Sequence, residues 1–257
     1  MRTVTNQRGQ VITFDPEAHK YVSEGRVLIS VTTVIKKYFP KFEGEEIAAR
    51  LSKKSGRLIS DILAEWAEKG RAASEFGNLV HKMCEVIVQN QNLEAANGLV
   101  NSPKSLAYLN ALKITLKQFQ VNYDFVESEK LIFSSYFGVA GTIDLILRNK
   151  KTDAIILVDL KTNKEIKRTA FGGERGYGPC SQLLNCNFSH YSLQLALYKE
   201  LLLAEGYYSA NTNIKTAILH LNLNGDDVDI SKIETLDLTE QAKSILENER
   251  NNPTLQE

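Results

Sequence analysis

Two apolar runs, each broken by an aspartate and separated by a short polar stretch, constrain this chain more than any other feature. Gly141-Thr142-Ile143-Asp144-Leu145-Ile146-Leu147 precedes a polar turn over Asn149 to Asp153, and Ala154-Ile155-Ile156-Leu157-Val158-Asp159-Leu160-Lys161 follows it. Short β-branched runs bounded by turn residues read as strands, and a turn near Lys150-Lys151 pairs them as a hairpin. That pairing brings Asp144 within a few residues of register with Asp159. Because side chains alternate along a strand, Asp159 and Lys161 share one face while Leu160 points into the opposite layer. Taken alone, the tripeptide also describes a strand that reaches the surface in an Asp–Lys salt bridge. A second carboxylate converging on the same spot, after a run in which unpaired charge is costly, instead makes a hard-oxygen site suited to Mg²⁺ or Mn²⁺. Phosphodiester hydrolysis needs what the trio offers: a cation that polarises a non-bridging oxygen and acidifies water, and a lysine that orients the water or neutralises developing charge.

The remaining text alternates strand and helix signals. Val11 to Phe14, Lys20 to Val22 and Val27 to Val31, with a turn over Ser23 to Arg26, read as an N-terminal β-hairpin or small meander. Residues 33 to about 92 take helical spacing, with Ile59, Ile62, Leu63 and Trp66 on one face. Ser102-Pro103 opens a further helix that carries Leu106, Leu109, Leu112, Leu116 and Phe119 and ends near Tyr123. After Lys161, residues 163–190 lack periodicity and hold four glycines, which predicts a long mobile loop. A helix over Tyr191 to Ala204, a strand over Thr216 to Leu223 and a helix over Thr239 to Asn251 complete the chain. The expected organisation is one domain over 1–257: a β segment (1–32), a helical insertion that could guide DNA (33–74), a core (75–205), and a C-terminal strand and helix (206–257).

Composition narrows the setting. With 257 residues and 43% apolar content, the chain can bury a substantial core. Its 31 basic and 31 acidic side chains cancel, so contact with nucleic acid must come from local patches. Cys84, Cys180 and Cys186 form no C-x-x-C pair, which argues against a disulfide scaffold or a zinc site. No stretch approaches the roughly 18 apolar residues of a membrane span, and the start lacks a signal core. A cytoplasmic location is expected, in a host cell if the chain is phage-encoded.

Two helical motifs extend the constellation. Gly77, His81 and Glu85 recur every fourth residue on one helical face, so glycine allows close approach and His81 can add a nitrogen ligand; Glu85 reads equally as a surface charge. Gln194 and Tyr198 stand four apart in the otherwise apolar helix after Tyr191, where a buried amide and phenol need partners.

In order, Gly77-x-x-x-His81, Gly141-x-x-Asp144, Asp159-x-Lys161-Thr162 and Gln194-Leu195-x-x-Tyr198 resemble the motif series of the RecB-like branch of the PD-(D/E)xK nuclease superfamily. The N-terminal His19-Lys20-Tyr21 to Gly25 and Ser30 to Ile35 are more loosely similar to the mitochondrial genome maintenance exonuclease group and its phage relatives. The resemblance implies an α/β fold of the restriction-endonuclease-like kind, a mixed central sheet flanked by helices. It implies that His81, Asp144, Asp159 and the Leu160 carbonyl hold Mg²⁺ or Mn²⁺, that Lys161 serves the attacking water, and that Gln194 and Tyr198 position DNA or the lysine. Some members of this branch carry an iron–sulfur cluster on four cysteines; with three, none is expected here.

The implied activity is a metal-dependent deoxyribonuclease, an exonuclease acting on single-stranded DNA or DNA ends in recombination, repair or replication, with no membrane partner. A non-cutting nucleic-acid-binding module of the same fold, or an endonuclease, are the alternatives. Lys164, Lys167, Arg168 and Arg175, with Tyr38, Phe39, Phe42, Phe171 and Tyr177, could guide and stack on a strand, or be solvated charges and core aromatics.

Overall fold

The computed structural model describes residues 1–15, 18 and 20–251; His19 of the N-terminal resemblance lies outside the described residues. The chain begins with four antiparallel strands, β1 (Arg2–Thr5), β2 (Val11–Asp15), β3 (Lys20–Ser23) and β4 (Arg26–Ser30). The expected N-terminal β segment is therefore larger by one strand. Ser30 then caps α1 (Val31–Lys37), its side chain accepting from the Thr33 amide. Helices α2 (Gly44–Ser55) and α3 (Ile59–Asn90) follow. Helix α3 runs unbroken through residue 75, so the helical insertion and the core share one continuous helix.

Helix α4 (Pro103–Asn122) starts in a capping box, with the Ser102 side chain accepting from Ser105 N and proline in the first turn, as the sequence dictates. Leu109, Leu112 and Leu116 are buried beneath it, but Leu106 is exposed and lies off the buried stripe. Strands β5 (Tyr123–Ser134), β6 (Val139–Asn149) and β7 (Ile155–Lys161) come next, then α5 (Asn187–Ala204), β8 (Ile214–Asn224), β9 (Asp227–Glu234) and α6 (Thr239–Asn251). Strand β9 is an addition to the single C-terminal strand expected. Its exposure alternates along a sequence rich in charge, Asp227 to Glu234, which hides the period from a search for apolar runs.

The nine strands of the described residues form one mixed sheet. Strand β6 pairs with β5 along its length on one side. Its other side is taken first by β4, in parallel at Val139 and Ala140, and then by β7, antiparallel from Leu145 to Arg148. Between those contacts, from Gly141 to Asp144, that edge carries no strand partner among the described residues, and β7 pairs onward with β8 instead. The sheet is thus split at the position of Asp144. One buried cluster packs α1, α5 and α6 on one face; another packs α3 and α4 on the other.

The segment 163–190, expected as a long mobile loop, is folded onto the body. Arg175 and Leu184 form a β-bridge, Tyr177 N donates to Tyr38 O, and Cys180 is fully buried. Gly176 is the reason it can pack: a Cβ there would lie 2.7 Å from the Cys180 carbonyl and 2.8 Å from that of Tyr38. Helix α5 accordingly begins at Asn187, four residues before the expected start. Among the described residues no helix is long and apolar enough to cross a membrane.

Candidate active site

Register builds the site. Ser128 pairs with Leu145 and Lys130 with Ile143, so Glu129 stands opposite Asp144; Leu145 pairs with Val158, and one step on Asp159 stands opposite Asp144 from the other side. Three carboxylates therefore cross β5, β6 and β7 in one row, and directly opposed residues of antiparallel strands face the same way. Where β7 parts from β6, the Leu160 amide donates to Asp144 Oδ2 at 2.7 Å, a side chain taking over from the missing ladder acceptor.

His81 reaches the row from α3. Its Nδ1 lies 3.5 Å from Asp144 Oδ1 and 3.6 Å from Glu129 Oε1, and its Nε2 lies 3.0 Å from the Leu160 carbonyl. Gly77, one turn earlier, has only the Thr162 hydroxyl near its missing Cβ, at 3.5 Å, which lets α3 lie close to the end of β7. Glu85 points elsewhere, its carboxylate accepting from Lys82 and Gln89. On the other side, Asp159 Oδ1 accepts from Lys161 Nζ at 2.6 Å and from Gln194 Nε2 at 3.1 Å. Gln194 therefore grips the aspartate, not the lysine. The Tyr198 hydroxyl lies 3.5 Å from the Gln194 amide, and its ring is buried against Gly141.

The electrostatics ask for a cation. Burial, with Asp144 nearby, outweighs Lys161 and pushes Asp159 up to about 6. Burial would depress His81, but Asp144 and Glu129 overcome it and hold the imidazole up to about 10, a proton serving as the positive charge among carboxylates. Lys161 is likewise opposed by burial yet raised by Asp159 and Asp144, so it remains an ammonium at neutral pH. Among the described residues, Asp159 Oδ2 is buried with no hydrogen-bond partner. His81, Glu129 and Asp144 can each offer a ligand atom, all within 4.8 Å of one another. An imidazole, hard carboxylate oxygens and a bare buried oxygen fit a divalent cation.

Glu129 and Tyr191 escape the sequence reading. Glu129 precedes the apolar run Leu131-Ile132-Phe133; counting the register back from Asp144 would find it, but that needs the pairing first. It also holds φ +48°, a left-handed conformation that costs a non-glycine residue about 1–2 kcal/mol and persists at functional sites. Glu129→Gly is accordingly expected to melt about 2–8 °C above Glu129→Ala, both losing the carboxylate, as differential scanning calorimetry would measure; equal melting would show that the backbone there is unstrained. Tyr191 lies on the Gln194 face of α5, with Lys161 Nζ 4.7 Å from its ring centroid.

A sequence model of the PD-(D/E)XK nuclease superfamily matches residues 49–252. The chain belongs to that superfamily, and its activity class is that of a hydrolytic nuclease acting on nucleic acid. Among solved structures, that of SSO0001 is 16% identical over 88% of this chain and 75% of its own, with a TM-score of 0.29. A candidate exonuclease from Eubacterium rectale is 13% identical over 62% of this chain and 70% of its own, with a TM-score of 0.31. No curated protein matches.

Proposed function

We propose that the chain is a Mg²⁺- or Mn²⁺-dependent exonuclease acting on single-stranded DNA or DNA ends, one domain of the RecB-like branch. The observation that carries the chemistry is the carboxylate row with His81, beside a bare Asp159 oxygen and a charged lysine. Asp144, Asp159, His81 and the Leu160 carbonyl would hold the cation with Glu129 as a further carboxylate, and the same carbonyl, 3.0 Å from His81 Nε2, orients the ring. When bound, the cation polarises a phosphate oxygen and acidifies water. Lys161, already protonated, is an electrostatic partner for charge developing on the phosphate rather than a base. Gln194 keeps Asp159 in its rotamer, and Tyr198 backs Gln194.

Support for a single strand comes from Phe42, Phe171 and Tyr177, which are 74%, 85% and 55% exposed and flanked by exposed Lys41, Lys164, Lys167 and Arg175. Bases stack on such rings whatever their sequence. Phe39 is core, and the Tyr38 hydroxyl accepts from the Asn248 amide. The three lysines and arginines of α3 are spent on their own helix, Lys69 on Glu65, Arg71 on Glu68 and Glu75, and Lys82 on Glu85.

The test is cleavage of labelled linear and circular DNA, single- and double-stranded, with Mg²⁺ or Mn²⁺. Asp144→Ala and Lys161→Ala are expected to lose about a thousandfold or more in rate. Equal rates in all three proteins would sink the reading. Linear strands cut with circles intact identify an exonuclease; cut circles identify an endonuclease.

A further inference from the structure

Lys161 ends β7 with its side chain 19% exposed, on a stem of four rotatable carbons. Among the described residues its ammonium has one hydrogen-bond partner, Asp159 Oδ1 at 2.6 Å. That same oxygen is shared with the Gln194 amide. One short bond does not fix a lysine: the ammonium can rotate about it, and the methylene chain can change rotamer while keeping it. The ring of Tyr191 supplies the missing restraint, with its centroid 4.7 Å from Nζ and within the range at which a ring face attracts an ammonium. Tyr191 stands on α5 three residues before Gln194, so one helical face holds both members of the Asp159–Lys161 pair. Its hydroxyl lies beside the Asn187 side chain, whose amide donates to the Glu165 carbonyl at 2.9 Å.

We propose that Tyr191 is a positioning residue for cleavage, its ring face holding the Lys161 ammonium beside Asp159 in the orientation the phosphate meets. The inference rests on the role given to Lys161 above. The ring is the working part; the hydroxyl, on the Asn187 side of the ring, is dispensable. Removing the ring leaves Lys161 charged and present but no longer confined, so the loss falls on turnover and not on metal or DNA binding. Losing a partly desolvated ammonium–ring contact is worth roughly tenfold in rate.

Single-turnover cleavage, KM for a labelled single strand, and Mn²⁺ affinity by calorimetry decide the matter for Tyr191→Phe, Tyr191→Leu, Tyr191→Met, Lys161→Ala and the double variant Lys161→Ala/Tyr191→Leu. Tyr191→Phe is expected within about twofold of wild type, because the ring face persists. Tyr191→Leu and Tyr191→Met are expected to lose about tenfold in kcat, with KM and Mn²⁺ affinity unchanged, and Tyr191→Leu to add nothing once Lys161 is gone. Tyr191→Met carries the same expectation should the leucine variant fail to fold. The proposal is overturned if Tyr191→Phe is as impaired as Tyr191→Leu, if both ring-less variants cleave at the wild-type rate, or if the leucine effect persists in the Lys161→Ala background. If Lys161→Ala itself cleaves normally, the reading of Lys161 falls and this inference with it; if Lys161→Ala is inactive while the ring-less variants are normal, this inference alone falls.

Discussion

Asp159→Asn is expected to abolish metal-dependent cleavage and, in metal-free protein at pH 7.5, to raise the melting temperature by several degrees. The two effects have one cause. Asp159 is held up to about 6 by burial and by Asp144, against an ordinary 3.8. Between those values the folded protein binds more protons than the unfolded chain, so stability falls as pH rises from about 4 to about 6 and stays lower above. His81, held up to about 10, acts in the same direction, binding its proton in the folded state at pH values where the unfolded chain has released it. An asparagine cannot ionise, so it removes the Asp159 part of that penalty, about 1–3 kcal/mol, or roughly 2–4 °C for each kcal/mol in a chain of this size. Calorimetry in chelator at pH 4.5 and 7.5 checks the sign: the advantage of Asp159→Asn should be full at the higher pH and reduced to about a third at the lower. A variant that melts below wild type at pH 7.5 would show that the Lys161 and Gln194 bonds outweigh the cost of the charge. Adding Mn²⁺ should raise the wild-type melting temperature more at pH 7.5 than at pH 5, because carboxylates must ionise to hold it, and should leave Asp159→Asn nearly unmoved.

The same residues show where sequence stops informing. Asp144 and Asp159 are legible because each interrupts an apolar strand and a five-residue turn fixes their pairing; local text and three-dimensional placement coincide. His81 and Gln194 are legible through helical spacing and motif order, although only the folded chain reveals that Gln194 grips Asp159. Glu129 is not legible. Its strand contains a register shift between Phe125 and Glu127, so which residue opposes Asp144 depends on an irregularity that no periodicity encodes. The segment after Lys161 misleads for a related reason: its order comes from contacts with α1 and with Cys180, over a hundred residues apart in the chain in the first case, and a glycine-rich stretch carries no trace of what it will touch. Strand β9 is hidden by its charges, as an edge strand's outward face usually is.

Gly141→Ala is expected to be the most damaging single methyl in the core of the site. A Cβ at Gly141 would lie 2.6 Å from Tyr198 Cε1 and 2.8 Å from its hydroxyl. Tyr198 is fully enclosed in the cluster around α5, so its ring has no free direction in which to retreat. Overpacking of this kind costs about 1–3 kcal/mol, which would appear as a fall of several degrees in melting temperature. The chemistry should suffer as well, because a displaced Tyr198 moves Gln194, and Gln194 holds Asp159. A double-mutant cycle separates the clash from any intrinsic cost of alanine in the strand. Tyr198→Ala alone should destabilise by leaving a cavity, about 3–5 kcal/mol by analogy with other buried aromatics, but Gly141→Ala added to it should cost little or even recover some stability by filling the space. Additive losses in the double variant would mean that the glycine is required by the unpaired edge of β6 and not by the tyrosine. Coupling of opposite sign to the single losses would establish that the unpaired edge of β6 between Gly141 and Asp144 lets Tyr198 lie against it, and that this contact is what carries the position of α5 through Gln194 to the carboxylates.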